Sequence, residues 1–467
     1  MGSYCEGNHK LNFISECFVK PTEVANNETY HYLGGSDLYM LSMGPIQKGL
    51  LFNSKPDNIS SSFLRKLKKS LYTSLVHFYP LAGQLVTKKF DDEHKCCFYV
   101  DCNKGPGVRL IHASVDYTVP DILSSTDVHE IVNSFFDLGE KSVNYDGHTR
   151  PLLSVQLTEL LDGVFIGFTI NHCVADGTSL WHFISALSEI FSQLNDDQEN
   201  EDNNYNQISV SKKPIFTTLF PDYGYDKIFK LPYLEPEEFI FRYDPGPLRV
   251  KLFQFSSKSI AMLKAQANEE CGLHNNISSF QALCGLTWRS ITRARNLKSN
   301  QDVNCVIIMN LRTRIQPPLS SEYFRSCLWA GISESNVGDL SGSGLGRAAL
   351  LINQSIKMQD EKTIRIMFNH SEEHPCVVQP GPQSVNYRPY GVVVGGSAKF
   401  DVYEPEFGLG KAIAMLAGYA NKDDGKVTAN PGREGGGSVE LEISLTPETM
   451  NALELDEEFM SFTSSST

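Results

Sequence analysis

The clearest hydrophobic pattern near the start of the chain lies between positions 59 and 79. Apolar side chains recur there every three to four residues, which predicts an amphipathic helix; they are Phe63, Leu64, Leu67, Leu71 and Leu75. The serines before this run are good helix caps, and the Tyr79-Pro80 pair ends it. The following "LAGQLV" has the composition of a strand.

A second pattern predicts two strands and a helix in the middle of the first half. Residues 152–170 form two apolar runs joined through Asp162-Gly163, a turn-forming pair. His172 comes directly after the second run. Apolar residues then return at helical spacing through 178–194, so we expect a helix packed on that strand.

Length and polar stretches predict the domain organisation. A chain of 467 residues favours two domains of roughly 200 residues each. Residues 195–207, "NDDQENEDNNYNQ", are acidic and amide-rich and predict a solvated, mobile loop. A segment rich in proline and aromatic residues follows, and a strand and a helix ending at Gly272 come next. We therefore predict an N-terminal domain at 1–213, a crossover segment at 214–247 and a C-terminal domain at 248–467.

Composition narrows the class of protein and its partners. With 41% hydrophobic and 21% charged residues the chain is typical of globular proteins. A net charge of -14 disfavours nucleic acid as a partner, and no run approaches the roughly 20 apolar residues of a membrane span. The eleven cysteines form no CxxC pair, and their odd number argues against a complete disulfide framework, which predicts a cytosolic protein.

The stretch "NHCVADG" carries the main candidate for chemistry, because His172 and Asp176 stand four residues apart. A zinc site needs a third ligand; Cys173 and His182 are near in sequence, but His182 falls inside the helical pattern, so we predict no metal. Two hypotheses remain open from these residues. The histidine is either a structural residue, or a general base presented at a strand end beside a cavity.

Several motifs, in a shared order, resemble the BAHD family of plant acyl-CoA-dependent acyltransferases. They are "GSDLYML", "IQKGLLF", "FYPLAGQL", "HCVADG", "SSFQALCGLTWRSITRAR", "MNLRTRIQPPLSSEYF" and "VYEPEFGLGK". The resemblance covers nearly the whole chain. It implies an α/β fold of two chloramphenicol-acetyltransferase-like domains, with the active-site channel between them.

The resemblance also implies roles for individual residues. His172 is the general base, and the Asp176 carboxylate turns away from it and pairs with an arginine, for which Arg312 is the candidate. Gly177 has no side chain, so backbone or substrate can come close to the histidine. Acyl-CoA enters as a co-substrate from one face and a small-molecule acceptor from the other. No permanently bound cofactor and no acyl-enzyme are implied, and we expect a monomer.

The chain departs from the family pattern in two places. "EFGLG" has Glu406 and Leu409 where relatives carry Asp and Trp, while Phe407, Gly408 and Gly410 are kept. This motif is expected to support the structure around the coenzyme channel, with Glu406 keeping a salt bridge. The second departure is Phe324-Arg325-Ser326, which stands where relatives have Phe-Gly-Asn and puts the coenzyme contacts in question.

Cationic and hydroxyl side chains are the candidates for binding coenzyme A, because they suit phosphates and the pantetheine arm. They are Lys258, Ser278, Ser279, Arg314 and Ser397. A solvated surface or helix-cap role is the alternative for these side chains.

The expected function is acyl transfer from a CoA thioester to a hydroxyl or amine of a specialised plant metabolite. Two alternatives stay open. One is a lyase or intramolecular acyl-handling enzyme on the same scaffold, although the presence of His172 favours transfer. The other is a small-molecule binder that has lost activity, which the changes at Glu406, Leu409 and 324–326 motivate.

Overall fold

The computed structural model describes most of the chain. The described residues are 10–21, 30–57, 59–137, 139, 141–194, 209–216, 228–272, 274–381 and 390–464. The predicted acidic loop at 195–207 lies outside them, as do residues 217–227 of the predicted crossover segment.

The strands are short, between three and nine residues long. They are β1 Asn12–Val19, β2 Tyr30–Tyr32, β3 Ile46–Phe52, β4 Gln84–Phe90, β5 Lys95–Asp101, β6 Val108–Ser114, β7 Leu153–Glu159, β8 Val164–Ile170, β9 Arg249–Phe255, β10 Asp302–Asn310, β11 Leu328–Asn336, β12 Val392–Gly396, β13 Ala414–Ala417, β14 Lys426–Pro431 and β15 Val439–Leu445.

The described helices are between four and 17 residues long. They are α1 Gly35–Leu38, α2 Leu64–His77, α3 Val119–Leu123, α4 Gly177–Gln193, α5 Ser257–Glu270, α6 Ser279–Ala294, α7 Val337–Gly342, α8 Leu345–Met358, α9 Glu361–Glu373, α10 Pro447–Leu453 and α11 Glu457–Phe462.

Two six-stranded mixed sheets form the framework. The first has the order β1-β6-β7-β8-β3-β13, with β6 and β7 parallel and the other neighbours antiparallel. The second has the order β11-β10-β12-β14-β15-β9, with β12 parallel to both β10 and β14. A three-stranded sheet, β2-β5-β4, accompanies the first.

The predicted strand pair around Asp162-Gly163 is confirmed. β7 and β8 are antiparallel, with Glu159 opposite Val164, and the turn is closed by the Leu160 N–H donating to the Gly163 carbonyl at 2.9 Å. Every residue of β8 is buried. The predicted helix after it is α4, and α2 packs on the same core.

The start of α2 differs from the sequence prediction. Residues Ile59–Phe63 form a π-helical turn that runs directly into α2, so Phe63 and not a serine stands at the N-cap. The predicted serine cap was wrong at this position. A preceding helical turn offers its own carbonyls to the first amide groups, which removes the need for a side-chain acceptor.

Each large sheet has its own hydrophobic core. One core joins the first sheet to α2 and α4, and the other joins the second sheet to α5, α6, α8, α10 and α11. The predicted strand and helix after the crossover segment are β9 and α5, and Ser256 caps that helix by accepting from the Ser259 N–H at 3.0 Å.

The C-terminal half returns to the first core. Val402, Phe407, Leu409 and Met415 all pack there, and β13 pairs with β3 at the edge of the first sheet, with Ala414 opposite Leu51. The predicted domain limits stay a prediction. The sheet pairing shows that one strand of the predicted C-terminal domain, β13, forms the edge of the first sheet.

A buried ion pair also connects the two halves. Arg325 Nη2 donates to Asp37 Oδ2 at 2.6 Å, and the side chains are only 6% and 3% exposed. The Ser326 N–H donates to the other carboxylate oxygen at 3.3 Å. Arg325, one of the departures from the family pattern, is therefore held against α1 of the N-terminal half.

We predict that Arg325→Met lowers the free energy of unfolding by about 3–5 kcal/mol, because it leaves the Asp37 carboxylate buried without its counter-charge. Urea denaturation followed by circular dichroism measures the change. The double variant Asp37→Asn/Arg325→Met should recover most of the loss, since it removes both charges. As a matched control, Lys141→Met breaks the exposed Lys141–Asp244 pair and should not shift the midpoint. A single variant as stable as the parent would show that the pair is unimportant for folding.

Candidate active site

His172 lies on the turn between β8 and α4. Its backbone N–H donates to Oδ1 of Asn144 at 2.7 Å. Asn144 is buried, and its side-chain amide donates to the carbonyls of Met40 at 2.8 Å and Met43 at 2.9 Å. The turn that carries the histidine is thus fixed to the loop after α1.

The imidazole of His172 is in a form that can accept a proton. Its Nδ1 atom is buried and makes no hydrogen bond of normal geometry with any described residue. Burial lowers the pKa of the His172 imidazole, and the Lys426 ammonium acts in the same direction. The Asp176 carboxylate and the adjacent backbone oppose this shift and only partly offset it. The ring is therefore neutral near pH 7, the state that a general base requires.

Asp176 is bound to Arg312 in a two-point contact. Arg312 Nη1 donates to Oδ2 at 2.6 Å and Nη2 donates to Oδ1 at 3.0 Å, and the side chains are 3% and 0% exposed. The Ser179 N–H donates to Oδ1 at 2.9 Å, which caps α4, and the Cys327 N–H donates to Oδ2 at 3.1 Å.

These four donors saturate the Asp176 carboxylate, because each oxygen accepts two hydrogen bonds. No hydrogen bond joins it to the His172 ring. The geometry is therefore that of a structural anion, which connects the start of α4 to the segment that follows β10, and not of a catalytic dyad with the histidine.

Gly177 is the first residue of α4. A Cβ atom added there would lie 3.4 Å from the ring of Phe400, which is ordinary contact distance. A small side chain would therefore fit beside Phe400, a residue of the connection between β12 and β13, and the structure gives no steric requirement for glycine at this position.

The "EFGLG" segment forms a tight turn on the first core. Phe407 is fully buried, with its ring 5.8 Å from that of Phe191 on α4. Phe407, Gly408 and Gly410 all have positive φ, at 49°, 71° and 77°, a conformation that favours glycine. Leu409 is 7% exposed and belongs to the same core.

The expected salt bridge of Glu406 is not found among the described residues. Glu406 is exposed, while its backbone N–H donates to the Ser188 hydroxyl at 3.2 Å. Ser188 lies 12 residues beyond Asp176, or roughly 18 Å along α4 at about 1.5 Å per residue. The motif thus contacts α4 several turns away from the residues around His172.

The candidate coenzyme residues do not form one cluster. Ser278 caps α6 by accepting from the Gln281 N–H at 3.3 Å, and Ser279 is the first residue of that helix. Asn268 near the end of α5 bonds the backbone of Ile277 at 3.0 Å. Ser278 therefore lies at the opposite end of α5 from Lys258, which is exposed.

The other two coenzyme candidates lie on connecting segments. Ser397 follows β12 directly, and its hydroxyl accepts from the Lys399 N–H at 3.1 Å, which stabilises a local turn. Arg314 is half-buried two residues after Arg312. Binding of coenzyme A by these five residues stays a prediction.

Sequence reasoning missed two residues that influence His172. Asn144 holds its backbone, and Lys426 on β14 acts on its charge. Neither stands in a motif, and their sequence separation from the histidine gives no local signal.

Clusters of metal ligands and membrane-spanning helices are absent from the described residues. In the part of the chain that the structure describes, no three His, Cys, Asp or Glu side chains come together as metal ligands. None of the helices in that part has the length and apolar character to cross a bilayer.

Comparisons with known proteins agree with the motifs and the fold. A family model described as the Transferase family matches residues 9–460. An uncharacterised acetyltransferase of Arabidopsis thaliana is 34% identical, with 96% of this chain and 98% of that protein covered. The BAHD acyltransferase DCR of the same plant is 29% identical, with 97% and 92% covered.

Solved structures show the same architecture. Vinorine synthase matches with a TM-score of 0.70 at 19% identity, over 98% of this chain and 99% of its own. TRI101 of F. sporotrichioides, complexed with coenzyme A and T-2, matches with a TM-score of 0.69 at 18% identity, over 93% and 99%. The family resemblance and the mixed α/β two-domain fold expected from the sequence are confirmed.

We predict that Asp176→Asn lowers the free energy of unfolding by about 3–5 kcal/mol, because Arg312 keeps its buried charge and loses its counter-ion. Thermal and urea unfolding measure the loss. Asp360→Asn is the matched control: Asp360 caps α9 through the Thr363 N–H at 2.8 Å but is exposed, so the variant should keep the parental midpoint. If Asp176→Asn is as stable as the parent and yet inactive, the carboxylate takes part in the chemistry.

Proposed function

Because the chain belongs to the transferase family of BAHD acyltransferases, we propose that it transfers an acyl group from an acyl-CoA thioester to a hydroxyl or amine of a plant metabolite, with His172 as general base. The observation that carries the proposal is the state of His172. Burial lowers the pKa of its ring, its backbone is fixed by Asn144, and Nδ1 makes no hydrogen bond of normal geometry with any described residue.

The reaction follows from these properties. The imidazole takes the proton of the acceptor hydroxyl or amine as its oxygen or nitrogen attacks the thioester carbon. The new bond forms a tetrahedral intermediate with a negatively charged oxygen, which hydrogen-bond donors stabilise. When the carbon–sulfur bond breaks, the CoA thiolate leaves and takes up the proton held by the imidazolium. The products are the acylated acceptor and free coenzyme A.

Asp176 contributes to this reaction through position. Its contacts with Arg312, Ser179 and Cys327 fix the start of α4. The turn between β8 and α4 therefore keeps its shape when the histidine gains and loses a proton, and the carboxylate does not compete for that proton.

The use of acyl-CoA rests on the family and on the fold. TRI101, which shares the fold, is complexed with coenzyme A in its structure. For this chain Lys258, Ser278, Ser279, Arg314 and Ser397 are the proposed contacts of the coenzyme. The proposal covers both acylation of a hydroxyl oxygen and acylation of an amine nitrogen. The cytosolic location and the monomeric state stay predictions from the sequence.

We predict that His172→Ala lowers kcat by about 100-fold or more, the usual contribution of a positioned general base. Steady-state transfer from acetyl-, benzoyl- and hydroxycinnamoyl-CoA to a plant extract, followed by mass spectrometry, first finds a competent donor and acceptor. The exposed His94→Ala is the control and should keep parental turnover. Turnover by His172→Ala close to that of the parent would remove this histidine from the mechanism. If the parent binds acyl-CoA but shows no turnover, the alternative of an inactive small-molecule binder is favoured.

The lowered pKa of His172 predicts the position of the acid limb in the pH profile. Transfer needs the neutral imidazole, and a pKa below the usual value of about 6.5 keeps it neutral to lower pH. We expect kcat/KM to reach its plateau near pH 8 and to fall to half of the plateau at a pH below about 6.5. The profile is measured at constant ionic strength, with circular dichroism at each pH to verify folding. A midpoint clearly above about pH 6.5 would contradict this assignment.

A further inference from the structure

Two asparagines bind the loop that precedes β3, and we call them the asparagine clamp. They are Asn144, at the start of a 3₁₀ turn before β7, and Asn421, in the connection between β13 and β14. Residues 39–45 form the loop, which joins α1 to β3. Since β13 belongs to the first sheet and β14 to the second, Asn421 stands where the chain passes from one sheet to the other.

Every polar atom of the Asn144 side chain has a partner. Oδ1 accepts from the His172 N–H at 2.7 Å. Nδ2 donates to three carbonyls of the loop, and that of Gly44 is among them at 3.2 Å. The backbone carbonyl of Asn144 accepts from Nδ2 of Asn171 at 2.6 Å. One residue, only 1% exposed, therefore holds two consecutive residues of the turn that carries the histidine.

Asn421 binds the same loop from the C-terminal half of the chain. Its Oδ1 accepts from the Gly44 N–H at 2.8 Å, and its Nδ2 donates to the carbonyls of Gly44 at 2.9 Å and Pro45 at 3.0 Å. A Cβ atom on Gly44 would lie 3.1 Å from that Oδ1, so the glycine permits the close approach. The backbone of Asn421 has a φ of 60°, a left-handed conformation that asparagine adopts more readily than most residues.

The two asparagines meet at one atom. The Gly44 carbonyl oxygen accepts from Nδ2 of Asn144 and from Nδ2 of Asn421, which its two lone pairs allow. A displacement of Asn421 therefore moves an acceptor of Asn144, whose Oδ1 holds the His172 N–H. The hydrogen bonds run without a gap from the C-terminal half to the turn between β8 and α4.

Resting on the proposed acyl transfer, we propose that Asn421 is a positioning residue for His172, acting through Gly44 and Asn144. A general base works only within hydrogen-bond reach of the proton that it takes, and a displacement of about 1 Å costs up to about 100-fold in rate. The buried ion pair at the start of α4 fixes one end of the turn. The asparagine clamp fixes the end that follows β8.

Asn421→Gly removes the side chain and keeps the backbone conformation, because glycine adopts positive φ freely. The matched control is Asn296→Gly, since Asn296 also has positive φ, at 49°, but is exposed and follows α6. Both changes are made in the parent and in His172→Ala, and melting curves verify that each variant is folded. The substrates are the donor and acceptor that the mass-spectrometric screen identifies.

With His172 in place, Asn421→Gly should lower kcat at least about tenfold and leave KM for acyl-CoA within about threefold, whereas Asn296→Gly matches the parent. Without the imidazole there is nothing left to position. Asn421→Gly should then change the residual rate of His172→Ala, measured with enzyme in excess, less than about twofold. A residue that only stabilises the fold would lower both rates alike.

A second variant acts on the same contact from the other side. Gly44→Ala places its Cβ against Oδ1 of Asn421, and it should lower kcat at least about threefold in the parent and leave the residual rate of His172→Ala unchanged. Should Asn421→Gly not fold, Gly44→Ala decides by the same comparison.

Hydrogen exchange followed by mass spectrometry gives a readout that needs no turnover. The peptide that spans residues 169–176 should exchange at least about fivefold faster in Asn421→Gly than in the parent and in Asn296→Gly. Helix α6 in the second core should keep its parental rate, which excludes a general loss of stability.

A loss of equal size with and without His172, a change confined to KM, or no loss would overturn the positioning role and leave acyl transfer in place. Absence of transfer by the parent would count against the proposed function instead. In that case, or where the residual rate of His172→Ala is too low to compare, hydrogen exchange decides: faster exchange at 169–176 supports the asparagine clamp, and unchanged exchange overturns it.

Discussion

The buried contact between Asp176 and Arg312 is the interaction on which the rest of the site depends. Asp176 is at once the cap of α4, the partner of an arginine from the C-terminal half and the acceptor of the Cys327 N–H. One carboxylate thus fixes a helix start and two segments distant in sequence. An uncompensated charge at such depth is costly, so the turn that presents His172 has little freedom to move.

The two halves of the chain are joined in other ways that complement this pair. Arg325 and Asp37 form a second buried ion pair, and β13 adds a strand to the first sheet. The "EFGLG" turn packs Phe407 and Leu409 into the first core. A packing role accounts for a leucine where relatives carry tryptophan, because the position is apolar and enclosed and the glycines provide the backbone conformation.

Buried charges in this protein differ in how they are held. Among the described residues, the buried Arg312 and Arg325 each have several hydrogen-bond partners and hold segments together. Lys48 Nζ, in contrast, is shielded from solvent and has no hydrogen-bond partner among the described residues. Most buried polar groups in proteins are hydrogen-bonded, so the arginines represent the usual case and Lys48 the exception.

Much of the local structure was determined by the sequence alone. Periodicity and turn residues predicted α2, α4, α5 and the β7–β8 pair, because these signals act between residues close in the chain. The ordered motifs indicated the family, and with it the roles proposed for His172 and Asp176. Other features depended on contacts between distant segments: the pairing of β13 with β3, the placement of Arg325 on Asp37, the separation of Lys258 from Ser278, and the burial of Lys48 Nζ. A lysine that alternates with apolar residues in a strand has the same local pattern whether it faces water or the protein interior. Only the packing of one sheet against the other decides between them, since burial and the nearest charges are set by residues far away in the sequence.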